Sequence, residues 1–215
     1  MIAPFLLLAA ALQATAVTEP NTQVKFATDL QTAAGPQLLA GTGVRTRTML
    51  KVKVYAFGLY VDAAGARAGL GAWRGKKAAD LARDQALYNE LLKGGFPMTL
   101  RLVMTRDVGG DQMAAAFDEA LGPRVAQAAQ RGMTGGADAL ARFRGFFTSE
   151  LKKGTELLFS RAGNTLTVSI GGQQVGEIDN AALAWALFDV YLGGKPISPD
   201  GKKSVVARLP EILGA

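Results

Sequence analysis

The segment Gly41-Thr42-Gly43-Val44-Arg45 leads into Lys53-Val54-Tyr55-Ala56-Phe57-Gly58-Leu59-Tyr60-Val61. A glycine-flexed turn thus delivers an arginine onto a segment rich in β-formers. A guanidinium held there is a forked, permanently charged donor suited to a carboxylate or a phenolate. Arg45 is either one of several solvated charges or the fixed positive charge of an apolar pocket. Gly41-x-Gly43 by itself reads as a bend in a strand. It lacks the third glycine of a dinucleotide site and the Gly-Lys-Thr/Ser ending of a phosphate loop.

Parity along a strand puts Arg45 and Arg47 on one face, and Lys51, Lys53 and Tyr55 on one face. Whether a hairpin near Thr48 joins two halves of different register stays open at this level. The carboxylates Asp118-Glu119 and Glu177-Asp179 find no second pair to make a glycosidase site or a metal cage, and read as solvated. Trp73, Trp185, Phe117, Phe143, Phe146 and Phe147 read most simply as core.

The chain has no histidine and no cysteine. Thiol nucleophiles, disulfides, histidine-based triads and Cys/His zinc sites are excluded. Proton transfer would have to use Asp, Glu, Lys, Tyr or water. The net charge is +6 over 215 residues. The basic residues are scattered and not interleaved with aromatics, which argues against a nucleic-acid partner. No cofactor and no structural metal are expected.

Residues 1–16 carry no charged side chain, contain the apolar run 3–12, and end in Ala14-Thr15-Ala16. Such a stretch is too short to span a bilayer comfortably and closes like a signal-peptidase site. A cleaved export leader is expected, with the mature chain starting near Val17 in a periplasmic or secreted location. The alternative is an N-terminal helix packed on the domain. No membrane span is expected after cleavage.

Residues 17–215 suit a single domain. Five Gly-Gly pairs punctuate them. Strands are predicted over 24–30, at least twice within 37–60, and over 99–104, 155–160, 165–170 and 174–178. Helices are predicted over 78–93, 111–130 with a bend at Pro123, 138–152 and 180–192, with a last one starting at Ser198-Pro199. Grouped strands without repeated βαβ units predict an α+β fold. Its sheet is largely antiparallel, with a helix layer on one face. A pocket belongs between that face and the helices 111–152.

The ordered set Gly-Thr-Gly-Val-Arg45, Val-Tyr-Ala-Phe-Gly-Leu-Tyr60, Trp73-Arg-Gly-Lys, Phe96-Pro, Phe143 to Phe147 with Lys153-Gly154, and Gly193-Gly194-Lys195-Pro196-Ile197-Ser198-Pro199 resembles the chalcone isomerase family. The likeness is to its bacterial chalcone-isomerase-like branch, and it runs from Leu38 to Leu213. It implies an open-faced β-sandwich. In the family's plant enzymes a chalcone phenolate closes onto an enone to give a flavanone. Other members bind fatty acids, and some have no catalysis. The resemblance places Arg45 where the enzymes' arginine binds the phenolate. It places Tyr55 at a strand threonine and Met113 near a helix tyrosine. Ala120 falls near an asparagine, and Val190 near a second threonine. Loss of such preorganised donors removes orders of magnitude of rate.

The leader and the resemblance together give the leading expectation: an exported protein, expected to be a monomer, that binds a small apolar anion, a fatty acid or an aromatic acid, through Arg45. Tyr55 would add a second hydrogen bond, and catalysis would be inefficient. Two alternatives stand beside it. One is an isomerase in which Arg45 stabilises the phenolate. The other is a structural or partner-binding domain in which a carboxylate holds Arg45.

Overall fold

The computed structural model describes residues 15–47 and 50–214. Nearly all of the expected leader lies outside them. A short antiparallel pair, β1 (Ala16–Thr18) with β2 (Lys25–Ala27), opens the described chain. Seven strands follow in one antiparallel sheet whose spatial order is their chain order. They are β3 (Asp29–Thr32), β4 (Gly35–Arg47), β5 (Val52–Val61), β6 (Met98–Met104), β7 (Glu156–Ala162), β8 (Thr165–Ile170) and β9 (Gln173–Asp179). The helices are α1 (Ala63–Gly69), α2 (Ala78–Leu81), α3 (Gln85–Lys93), α4 (Gly110–Gln130), α5 (Gly136–Arg144), α6 (Ala181–Leu192), α7 (Pro199–Ser204) and α8 (Leu209–Leu213). This is the expected α+β architecture, an antiparallel sheet with a helical layer.

Alternation along β5 divides the two faces of the sheet. Tyr55, Phe57, Leu59 and Val61 belong to the main core beneath the helices, while Ala56 and Tyr60 face the other way. There Phe26 of the β1–β2 pair closes over Leu39, Ala56, Tyr60 and Val103. The Tyr60 hydroxyl donates to the Ala27 carbonyl at 2.9 Å, and the Arg101 guanidinium lies 5.2 Å from the Phe26 ring centre. Helix α6 is apolar around almost its whole circumference, as a helix enclosed by other elements must be. Asn180 caps it by accepting from the Leu183 amide at 2.9 Å.

Four sequence expectations need correction. Residues 24–30 are not one edge strand: β2 and β3 divide them between two sheets. The helix expected over 78–93 is two, because the Asp84 carboxylate accepts from the amides of Ala86 and Leu87 and starts a fresh helix. The helix expected over 138–152 ends with α5 at Arg144. Phe147 and Leu151 remain buried beyond it, and Leu151 pairs with Val108 as an isolated antiparallel bridge. Helix α1 gave no signal, since Ala-Ala-Gly-Ala-Arg-Ala-Gly has no apolar stripe.

The glycines that opened the sequence reading have a packing role. Gly41 and Gly43 pair with Leu59 and Phe57, so they sit on the helix-covered face of β4. A Cβ at Gly41 would stand 2.1 Å from the Ser204 carbonyl oxygen and 2.6 Å from the Val205 carbonyl carbon. One at Gly43 would meet the Gly201 Cα at 2.8 Å. Helix α7 therefore lies backbone to backbone on β4, fastened by Ser204 Oγ donating to the Thr42 carbonyl at 2.7 Å. Gly41→Ala is expected to destabilise the protein by about 2–4 kcal/mol, because a backbone rather than a side chain must move. Gly71→Ala, with no atom in reach of the added Cβ and no positive φ, is expected to change stability by no more than about 1 kcal/mol. Denaturant unfolding of both variants measures the contrast; equal effects would refute the packing argument.

Candidate functional site

Strands β4 and β5 form a hairpin in which Arg45 and Tyr55 stand directly opposite one another. Between them and the turn the register slips: Arg45 pairs with Tyr55, but Thr46 pairs with Lys53. Val54 is the extra residue of a β-bulge. The bulge resets the alternation, so Val52, Val54 and Tyr55 all line the cleft. Lys53 instead reaches the Asn21 carbonyl, on the side of the β1–β2 pair. This corrects the parity argument, which put Lys53 and Tyr55 on one face. Arg45 and Arg47 do share a side, and both line the cleft.

The cleft has a volume of about 700 Å³, within the usual range for small-molecule sites. Its floor is β4 and β5, and its opposite wall is α4, with Val190 of α6 and Ile197 closing the inner end. Arg45, Tyr55, Met113, Ala120 and Val190, the five residues singled out from the sequence, all line it. Tyr55, Met113 and Val190 are buried there, while Arg45 and Ala120 are half-buried.

Two backbone carbonyls hold Arg45. Its Nη1 donates to Thr46 O at 2.8 Å and to Ile197 O at 3.1 Å. Among the described residues no carboxylate bridges it, and neither Nε nor Nη2 has a protein acceptor. The neighbouring arginines differ. Arg47 faces Glu119 at 3.7 Å on the surface, and Arg124 is paired with Asp189 at 3.0 Å in a largely buried contact. The reading in which a carboxylate neutralises Arg45 thus finds no support.

Beside it, the hydroxyls of Tyr55 and Tyr191 lie 2.9 Å apart. Burial pushes the Tyr55 phenol above its ordinary pKa, against the opposing pull of the Tyr191 hydrogen bond and the Arg45 charge. Burial raises Tyr191 further still. Both are protonated at neutral pH and act as hydrogen-bond donors rather than bases. One proton serves the bond between them, and one is left for a third group.

Sequence reasoning missed Tyr191, Arg124 and Asp189. Asp189 carried a signal: it is the single charge in the apolar run of α6. Its partner Arg124 also donates to the carbonyls of Ala120 and Lys195, at 2.7 and 2.6 Å. The Ile197 amide donates to Val190 O at 2.7 Å. Together these bonds fix the loop 193–198, and with it the carbonyl that orients Arg45.

A family model described as chalcone isomerase like matches residues 36–206. The chain belongs to this family. It is 30% identical over 187 residues to the chalcone–flavanone isomerase of Gentiana triflora, covering 82% of this chain and 83% of that protein. It is 28% identical over 206 residues to fatty-acid-binding protein 2 of Arabidopsis thaliana, covering 91% of this chain but 51% of that longer protein. The crystal structure of another Arabidopsis thaliana fatty-acid binding protein superposes with a TM-score of 0.77 at 21% identity, covering 93% of this chain and 99% of that one. The last comparison establishes the shared fold.

The Asp189–Arg124 pair generates a test. Asp189→Ala leaves a half-enclosed guanidinium without its counter-charge and should cost about 2–3 kcal/mol, less than for a fully buried pair. Arg124→Met combined with Asp189→Leu should recover most of that loss. Urea unfolding of the three variants decides. A double variant no more stable than Asp189→Ala would refute the role given to charge.

Proposed function

We propose that this protein binds a small apolar anion, a fatty acid or an aromatic acid, without efficient catalysis. The single observation that carries this reading is Arg45 on the cleft wall, with Nε and Nη2 lacking any acceptor among the described residues, beside an apolar stretch of lining that includes Val54, Met113, Ala120, Val190 and Ile197. Carbonyls orient the guanidinium but do not neutralise it, so an incoming carboxylate gains a charge-assisted, bidentate contact. Tyr55 supplies the neighbouring hydroxyl. Met113, Ala120 and Val190 give the ligand's apolar body a wall without donors. A fatty-acid-binding relative that matches most of the chain supports the same class of ligand.

Binding of hexadecanoate, followed by titration calorimetry and native mass spectrometry, is the test. Arg45→Ala should weaken it about 10- to 100-fold, the worth of one charged hydrogen-bonded contact. Tyr55→Phe should weaken it about fivefold. Undiminished binding by Arg45→Ala defeats the reading.

A second reading is favoured by the identity to chalcone–flavanone isomerases across most of the chain, as in the 31% match over 194 residues to that of Hordeum vulgare. In it, Arg45 stabilises a phenolate during cyclisation. Turnover of a hydroxychalcone above the spontaneous rate, abolished in Arg45→Ala, would establish it. The wall of Met113, Ala120 and Val190 favours the binding reading, because it offers no donor to a ketone.

We also propose that the protein is exported after loss of residues 1–16. Cleavage there leaves Val17 and Thr18 in β1, opposite Phe26 and Lys25. N-terminal sequencing of protein from the producing cells should begin at Val17; an intact Met1 overturns export by a cleaved leader.

A further inference from the structure

We propose that Leu50 and Lys51, the described residues at the tip of the β4–β5 hairpin, dock this protein onto an anionic lipid bilayer, beside the mouth of the cleft. The proposal rests on the apolar-anion reading for its purpose but not for its evidence. Among the described residues two large hydrophobic side chains are exposed: Val175 at 39% and Leu50 at 86%. Leu50 lies in the turn that joins the two strands carrying Arg45 and Tyr55. Lys51, next to it, adopts a left-handed conformation with φ of 51°. A non-glycine residue in that region is uncommon and marks a sharply turned backbone. Leu50 is presented to solvent, and none of the described residues covers it.

The charges around this tip have one dominant sign. The last cross-strand pair before the turn, Arg47 with Val52, lines the cleft, so the tip continues its rim. Arg45, Arg47, Arg106 and Lys195 line the cleft together with the carboxylates Asp107 and Glu119. Arg124, which also lines it, is neutralised by Asp189. Lys51, next to Leu50, adds to the positive side, whereas Lys53 points toward the β1–β2 pair. Of the two carboxylates, Glu119 and Arg47 offset one another and Asp107 is engaged with Lys152, which leaves Arg45, Arg106, Lys195 and Lys51 as the excess. A cationic rim with one projecting leucine matches a bilayer surface that is anionic outside and apolar just beneath. Lysine and arginine side chains near such a surface are attracted to it within a Debye length. An amphipathic side-chain set of this kind holds a protein on the interface without spanning it.

The placement is economical for an apolar cargo. A long-chain anion partitions out of water, and the bilayer is where it accumulates. A protein docked by Leu50 has its cleft opening at the membrane face, so cargo can pass between the two with little exposure to water.

Flotation of the full chain with vesicles is the experiment. Vesicles of phosphatidylcholine alone are compared with vesicles containing an equal part of phosphatidylglycerol. The protein should float with the mixed vesicles at least about tenfold better, and raised salt should release it. Leu50→Asp should lose about tenfold in partitioning, the scale of one buried leucine side chain, and Leu50→Phe should retain it. Equal binding to both vesicle types, or equal binding by Leu50→Asp and the native chain, overturns the proposal and leaves the tip for a protein partner. Calorimetry with hexadecanoate in solution separates this result from the binding reading. A chain that floats but takes no hexadecanoate refutes ligand binding and keeps docking. One that takes hexadecanoate but does not float does the reverse.

Discussion

The site depends on the backbone-to-backbone contact of α7 with β4. Two glycines on the covered face of β4 remove the Cβ atoms that would hold a helix at ordinary side-chain distance. Helix α7 settles into that space, and the segment before it is drawn over the end of the sheet. Its Ile197 carbonyl then meets the Arg45 guanidinium. Further along, the Arg208 amide donates to the Ala40 carbonyl at 2.8 Å, so the strand is gripped on both sides of the glycines. The space over the Gly-x-Gly pair is taken by α7 and the residue after it, and the pair thereby shapes the floor near which Arg45 is fixed.

Carbonyls and carboxylates hold an arginine in different ways. A carboxylate satisfies its hydrogen bonds and cancels its charge, as Asp189 does for Arg124. Carbonyls satisfy part of its hydrogen bonding and leave the charge in place. A half-buried guanidinium so held is oriented while its charge stays uncancelled, and the proposed anionic ligand would offset the cost of removing it from water. The Tyr55–Tyr191 pair is consistent with the proposed anionic ligand. Burial keeps both phenols protonated, so the pair presents a hydrogen to an incoming oxygen and cannot serve as a base near neutral pH.

Much of this was legible in the sequence, for physical reasons that differ by element. The antiparallel sheet and the helix layer followed from period-two and period-3.6 patterns bounded by glycines. The five residues around the cleft were found through the order of motifs, not through any one of them. What stayed hidden depended on contacts distant in the chain. The bulge at Val54 leaves no mark in the sequence, because valine suits a regular strand equally well, yet it decides which way Tyr55 points. Tyr191 looked like one more apolar residue of α6 until the fold brought its hydroxyl to Tyr55, 136 positions away. The early end of α5 was masked because Phe147 and Leu151 stay buried without helical backbone, so burial kept the periodicity after the helix had stopped.

Membership of the family fixes the frame and leaves the chemistry to the cleft wall. An arginine at the end of β4 suits a phenolate in a cyclising enzyme as well as a carboxylate in a binding protein, since both are oxyanions that accept a forked donor. The two roles diverge at the far end of the ligand. A reaction needs donors where charge develops on the ketone, whereas retention needs only apolar surface. Met113, Ala120 and Val190 supply apolar surface and no donor, and the Tyr55–Tyr191 hydroxyl pair stands beside Arg45. The proposed binding role therefore turns on the apolar side chains of Met113, Ala120 and Val190, and the cyclising role on whether another lining residue, such as Gln112, can reach the ketone.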